Sequence, residues 1–136
     1  YFKNAITVYG GSQMRPNIHI DDMVNAYICL LEEDTQKIKN QIFNVGFENH
    51  SVLDLANLVK RNSKNKVSVN IQETDDNRSY HVSSSKILKT LKFKPKKNID
   101  LAIKDLINAF EIKKLVNTFG NENFFNIKKM QKINLK

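Results

Sequence analysis

An α/β fold is predicted for this chain from three observations. Runs rich in β-branched and aromatic residues, "AITVYG" at 5–10, "QIFNVG" at 41–46 and "VSVNIQ" at 67–72, read as strands. Between and after them, apolar residues recur at helical spacing over 23–31, 52–59 and 99–110. Strands and helices therefore alternate, but the strands are too few and too scattered to make an ordinary complete sheet.

The first strand alternates and ends at Gly10–Gly11, a turn signal. "NIHI" at 17–20 reads as a second short strand, and Asp21 or Asp22 is expected to cap the helix after it. Met23, Ala26, Tyr27, Leu30 and Leu31 form that helix's stripe, which ends near "EED" at 32–34. The apolar strand at 41–46 is followed by a helix starting at Ser51, with Asp54 in the capping-box position. Val52, Leu55, Ala56 and Val59 make its face, and Lys60 and Arg61 suit the negative end of its dipole. After the strand at 67–72 comes a polar, turn-rich segment, 73–82. A serine run at 83–85 opens a short helix with Ile87, Leu88 and Leu91 inward, stopped by "FKP" at 93–95. Asp100 is expected to cap the last helix, whose stripe is Ile99, Ile103, Leu106, Ile107 and Phe110. Residues 1–110 thus form the folded portion, and the lysine- and asparagine-rich tail, 111–136, is expected on the surface, partly ordered by Phe124 and Phe125.

The 136 residues carry 40% hydrophobic side chains and a mean hydropathy of −0.47, in the range of soluble globular chains. A free-standing domain of this size buries roughly two-thirds of its unfolded-chain surface. No apolar run approaches the ~20 residues of a membrane helix, and no signal-peptide pattern is present. A cytoplasmic location is the expectation. The chain opens on Tyr1 with a strand almost at once, the pattern expected of a piece of a longer polypeptide. The single cysteine, Cys29, excludes an internal disulfide and falls inside a helix pattern, where it reads as a small core residue.

The net charge of +8 raises nucleic acid or another polyanion as a partner. The basic residues are spread along the chain, however. The densest stretch, "KILKTLKFKPKK" at 86–97, has few aromatics and no nucleic-acid motif, so it reads as a solvated face. His19, His50 and His81 are not paired with one another or with the cysteine at ligand spacing, so no metal site is expected. "GGSQMR" at 10–15 lacks the lysine and spacing of a P-loop. It does place Arg15 just beyond a tight turn, where a guanidinium can hold phosphate through two parallel bonds. Only three of the 22 basic residues are arginine (Arg15, Arg61 and Arg78), and two of these lie in polar loops beside strands.

Three separated segments resemble the NAD-dependent epimerase/dehydratase family, the extended short-chain dehydrogenase/reductases that act on nucleotide sugars. "ITVYGGSQMRPNIHIDDMVNAYICLLE" is similar to its strand, glycine turn, Gln-x-Arg and aspartate-led helix. "QIFNVGFENHSVLDLANLV" is similar to the next unit, a strand ending in Asn-x-Gly before Ser-x-x-Asp-Leu-Ala. "DDNRSYHVSSSKILKTLKFKPKKNIDLAIKDLINAF" is similar to the closing unit, with Asp-x-Arg-x-Tyr before a Ser-Lys-Ile helix. The order and spacing agree over residues 5 to 110. Pro16 and Glu73 depart from the pattern of some members and bear on the subgroup.

The resemblance implies a fold class: α/β, the C-terminal substrate-binding portion of such an enzyme, with a strand and helices that would complete a missing Rossmann-type sheet. It also implies roles. Arg15 and Arg78 would contact the diphosphate of a nucleoside-diphosphate sugar, with Asp76 near its ribose or phosphate. Asn44 and Val45 would border the base pocket, and Tyr80 would help shape the sugar pocket. The family's Gly-x-x-Gly-x-x-Gly loop and Tyr-x-x-x-Lys pair do not occur here. Catalytic and cofactor-binding residues are accordingly not expected in this chain, and NAD would be bound mainly by the other half. By itself the chain is expected to be inactive, and the full-length enzyme to be a homodimer. The competing expectation is a basic nucleic-acid- or polyanion-binding module.

Overall fold

The computed structural model describes residues 1–63, 66–76 and 78–134. Its elements, in chain order, are β1 (Ala5–Tyr9), β2 (Met14–Asn17), α1 (Ile20–Glu32), α2 (Thr35–Ile38), β3 (Glu48–Ser51), α3 (Val52–Asn62), β4 (Ser68–Gln72), α4 (Ser85–Leu91) and α5 (Ile99–Glu111), then a 3-10 turn (Glu122–Phe124) and α6 (Asn126–Lys132). The fold is α/β. Two compact units, Tyr1–Asp105 and Leu106–Lys136, divide the chain.

In the first unit β1 and β4 pair in parallel, Ala5 opposite Ser68 through Tyr9 opposite Gln72. Parallel strands need a crossover connection, and α3 lies within the one that joins them. β2 and β3 form a separate antiparallel pair, with Arg15 opposite His50 and Pro16 opposite Asn49. A two-stranded ladder consists of edges, so Pro16, which has no N–H, is tolerated there. The apolar core is Val8, Ala26, Ala56, Val67, Ile87 and Leu91.

The helices stand where the periodicity places them, but several details differ. Among the described residues, 41–46, the strand expected to complete a Rossmann-type sheet missing from this chain, has no ladder partner. The segment is held by single hydrogen bonds, Gln41 N–H to the Ile38 carbonyl (3.0 Å) and Gly46 N–H to Ser84 Oγ (2.7 Å), while the next residue, Phe47, donates to the Asn17 carbonyl (2.9 Å). The strand expected at 17–20 is displaced to Met14–Asn17, because residues 14–17 are the ones that face β3. His19, not Asp21 or Asp22, caps α1: its Nδ1 accepts the Asp21 N–H at 3.1 Å. Asp22 is buried, and its Oδ2 accepts the backbone N–H groups of Lys96 (3.0 Å) and Lys97 (2.7 Å). The carboxylate thus anchors the turn after α4 and is not free to cap. Asn98, not Asp100, caps α5, accepting the Leu101 N–H at 2.9 Å.

Burial also departs from the predicted stripes. Ala26 of α1 is buried, but Tyr27 is 64% and Leu31 85% exposed, and Leu88 of α4 is exposed as well. Within this chain α1 is covered on its Asp22–Ala26 side, while Ile20, Val24, Tyr27, Ile28 and Leu31 face outward. α3 matches expectation: Ser51 Oγ accepts the Asp54 N–H (3.0 Å) and donates to Asp54 Oδ2 (2.6 Å). In the second unit Asn121 caps the 3-10 turn, Lys132 pairs with Glu122, and Lys128 Nζ lies 4.6 Å from the centre of the Phe125 ring. The tail's last residues, Leu135 and Lys136, lie outside the described residues, as does Asn77 in the 73–82 loop.

Candidate functional site

Two loops leave the carboxyl ends of β1 and β4, the side on which ligands bind in parallel α/β sheets. One, from Gly10 to Gln13, leads into β2 with Arg15; the other carries Thr74, Asp76, Arg78 and Tyr80. The Gly10 N–H donates to the Gln72 carbonyl at 2.8 Å. The chain then turns sharply through Gly10 and Gly11, at φ values of 75° and 128° that side chains disfavour. The turn is closed onto the start of α3: Val52 N–H donates to the Gln13 carbonyl (3.0 Å) and Leu53 N–H to the Gly11 carbonyl (2.9 Å). With Ser51 taking the Asp54 N–H, the first-turn donors of α3 are engaged within the protein.

That closure bears on the dinucleotide cofactor the resemblance implies. A dinucleotide pyrophosphate needs free N–H groups at a helix start after a glycine turn. Here the glycine turn runs into β2, and the helix start it touches, that of α3, has its N–H groups held by Gly11, Gln13 and Ser51. The residues present do not fit NAD at this position.

The loops meet at Gln13, Met14 and Arg15. Met14 N–H donates to Ser79 Oγ at 3.0 Å, and Tyr80 N–H to the Met14 carbonyl at 3.4 Å. Arg15 Nη1 donates to the carbonyls of Met14 (2.9 Å) and Arg78 (2.5 Å). Its Nη2 lies 3.8 Å from Asp76 Oδ2, and its Cζ lies 5.3 Å from the centre of the Tyr80 ring. Arg78 grips Asp76 with two prongs, Nε to Oδ1 at 2.7 Å and Nη2 to Oδ2 at 2.8 Å. Four of the sequence-predicted residues, Arg15, Asp76, Arg78 and Tyr80, therefore share one place.

The Arg78 guanidinium, above all, holds the Asp76 carboxyl well below the usual carboxylate range. The Arg78 backbone N–H adds to this, and the charges of Arg78 and Arg15 add less, against the opposing effect of desolvation. Reciprocally, the Asp76 carboxylate raises the Arg78 guanidinium above its usual value. Asp76 is thus an ionised acceptor near neutral pH, and the cluster of two guanidiniums and one carboxylate carries 2 − 1 = +1. Arg15 is 26% exposed and Arg78 81%, so one fork is set in a wall and the other lies open to solvent while held by Asp76. The arrangement suits an anion with several oxygens.

Asn44 and Val45 lie outside this cluster, on the segment before β3. Asn44 is exposed. Val45 lines an apolar hollow of about 200 Å³ with Phe47, Val82, Ile87, Leu88 and Pro95, and a second of about 220 Å³ with Met23, Tyr27 and Phe43. The third arginine, Arg61, pairs with Asp100 at 3.3 Å. His19 is buried. Because its Nδ1 accepts from Asp21, the ring proton sits on Nε2 and points to Asp105 Oδ2 at 3.2 Å. Among the described residues no group of three or more His, Cys, Asp or Glu could hold a metal ion. No helix of the described residues is long and apolar enough to cross a membrane. The sequence assigned no role to the Gln13 side chain; a polar residue two positions after a glycine pair was the available signal.

Comparison with known proteins agrees with this architecture. The model of the NAD dependent epimerase/dehydratase family matches residues 2–46, the part holding β1, the glycine turn, Arg15 and α1. The chain is similar to the L-threonine dehydrogenase of Phytophthora infestans (TM-score 0.70, 9% identity, 81% of this chain and 38% of that one). It is similar to the UDP-glucuronic acid 4-epimerase of Bacillus cereus, solved with UDP-glucuronic acid and NAD (TM-score 0.68, 20% identity, 80% and 37%). It is also similar to the UDP-glucose 4-epimerase of Thermotoga maritima, solved with UDP-glucose (TM-score 0.69, 20% identity, 80% and 35%). The chain thus spans between 35% and 38% of the length of these enzymes, and what it has in common with them is the fold.

Proposed function

We propose that this chain is the C-terminal, substrate-binding portion of an NAD-dependent nucleotide-sugar epimerase or dehydratase. Arg15 and Arg78 hold the diphosphate of a nucleoside-diphosphate sugar, with Asp76 beside the ribose or phosphate. Asn44 and Val45 border the base, and Tyr80 shapes the sugar pocket. The hydride chemistry, NAD and the catalytic pair belong to the other portion of a homodimeric enzyme. One observation carries the reading: residues 63 apart in sequence, Arg15 and Arg78, meet at the carboxyl ends of a parallel strand pair. A hydrogen bond to a charged group contributes ~1.5–3 kcal/mol. Two arginines thus supply much of the ~8 kcal/mol of a micromolar affinity.

A second reading places the chain in the dinucleotide-binding portion. The family match over residues 2–46 and the parallel β1–β4 pair ending in a glycine turn favour it. Against it stand the engaged first turn of α3 and the glycine spacing: the four glycines, 10, 11, 46 and 120, contain no Gly-x-x-Gly-x-x-Gly.

Calorimetric titration of the 136-residue chain with UDP, inorganic pyrophosphate and NAD separates the two. The first reading expects UDP and pyrophosphate to bind, and Arg15→Ala and Arg78→Ala each to weaken them roughly tenfold or more. Unchanged affinity in both variants would refute the site. NAD binding that exceeds UDP binding and survives both substitutions would establish the second reading.

A further inference from the structure

We propose that Gln13 is the positioning residue of this anion site: its side-chain amide sets where Asp76, and through it both guanidiniums, stand. The inference rests on the reading of Arg15 and Arg78 as the phosphate contacts, and adds a residue to which that reading gives no role.

Gln13 is only 7% exposed although it lies in a surface turn. Its amide makes three hydrogen bonds, all to backbone. Oε1 accepts the Gly11 N–H at 2.6 Å, and Nε2 donates to the Tyr9 carbonyl at 3.1 Å and the Asp76 carbonyl at 3.0 Å. Both Nε2 hydrogens are therefore used, and no other side chain of this size supplies two donors and one acceptor at that reach. The backbone of the same residue joins α3, since its carbonyl accepts the Val52 N–H. One side chain thus ties the end of β1, the glycine turn and a residue 63 positions later.

The surroundings are built around that amide. A Cβ on Gly10 would lie 2.4 Å from Gln13 Nε2, so the glycine leaves the space that the amide fills. The bond to the Asp76 carbonyl fixes the backbone of the residue whose carboxylate holds Arg78 by two bonds and faces Arg15. Displacing the amide releases Asp76 from the glycine turn, while Ser79 and Tyr80 stay tied to Met14, and so moves the two forks relative to each other. A diphosphate needs both forks at fixed separation, so loss of the tie acts on binding more than on overall stability.

The test pairs Gln13→Met, which keeps the volume and removes all three hydrogen bonds, with amide hydrogen exchange and pyrophosphate titration of the 136-residue chain. The expected result is exchange at least tenfold faster over the described residues of 74–80, with α3 protection unchanged, and pyrophosphate affinity at least tenfold lower. Wild-type exchange over 74–80 in Gln13→Met would overturn the proposal, as would wild-type pyrophosphate affinity. If the variant does not fold, the wild-type chain still decides: the Gln13 side-chain NH₂ must exchange at least tenfold more slowly than those of Gln36, Gln41 and Gln131, and equal rates overturn the proposal. Failure of the underlying reading looks different. Pyrophosphate that binds neither the wild type nor Arg15→Ala removes the anion site, while loop exchange in Gln13→Met still reports whether Gln13 sets the position of Asp76.

Discussion

Asp76 and Arg78 face each other through two parallel bonds of 2.7 and 2.8 Å, so the freer guanidinium of the site is already occupied by a carboxylate of its own loop. A phosphate ligand must compete with that carboxylate or share the fork with it. Replacing Asp76 by Asn raises the charge of the cluster from +1 to +2, by the count of two guanidiniums and one carboxylate. Asp76→Asn should therefore tighten inorganic pyrophosphate roughly two- to fivefold at low salt, with the gain fading as salt rises. Titrations at two ionic strengths check this. Weaker binding at low salt would show that Asp76 supports the anion and does not compete with it.

Acid should weaken the fold through two aspartates. Asp76 is held below its usual range chiefly by Arg78, and Asp100 chiefly by Asn62, then by Lys104. A carboxyl whose folded pKa lies below the unfolded ~3.9 contributes stability that is complete above that value and is lost as pH falls through the folded one. The unfolding midpoint should hold level between about pH 7 and 5 and drop below about pH 4. Asp100→Asn should drop less, and an equally steep fall in that variant would refute the assignment.

Asp22 should matter more to stability than any exposed carboxylate. Its Oδ2 is the acceptor for both Lys96 and Lys97 N–H groups, and the side chain is buried. Asp22→Ala should cost ~2–3 kcal/mol in urea unfolding, and Asp22→Asn, which keeps one acceptor oxygen, less. Equal losses would mean that charge, and not hydrogen bonding, ties α1 to the turn after α4.

Gly10→Ala should strain the turn twice. The backbone sits at φ 75°, and the new methyl would meet Gln13 Nε2 at 2.4 Å. The first effect alone is ~1–2 kcal/mol. Thermal unfolding together with pyrophosphate titration reads the outcome, and both stability and binding should fall.

Substitutions on α1 test which way the helix faces. Ala26 is 1% exposed and Leu31 85%. Ala26→Leu should cost ~1–3 kcal/mol by overpacking, and Leu31→Glu should stay within ~0.5 kcal/mol of the parent. A loss above ~1 kcal/mol for Leu31→Glu in denaturant unfolding would show that the predicted stripe, which holds both residues, governs burial.

The helices were legible because helix formation is encoded locally. The period of apolar residues located α1, α3, α4 and α5 within a few positions, and Ser51 with Asp54 marked the start of α3. Residue type singled out Arg15 and Arg78, the family resemblance implied Asp76 and Tyr80 beside them, and the structure gathers the four into one cluster. What local pattern does not contain is the partner. A strand exists by pairing, so among the described residues the strongly apolar 41–46 carries no ladder while the polar Glu48–Ser51 does, because Met14–Asn17 lies opposite. A cap depends on which acceptor is free: Asp22 was drawn inward by backbone N–H groups 74 and 75 residues away, and His19 took the helix start. The position of Asp76 beside Arg15, and the amide of Gln13 that ties their loops, were likewise decided by tertiary structure, since only folding brings together groups that far apart in the chain.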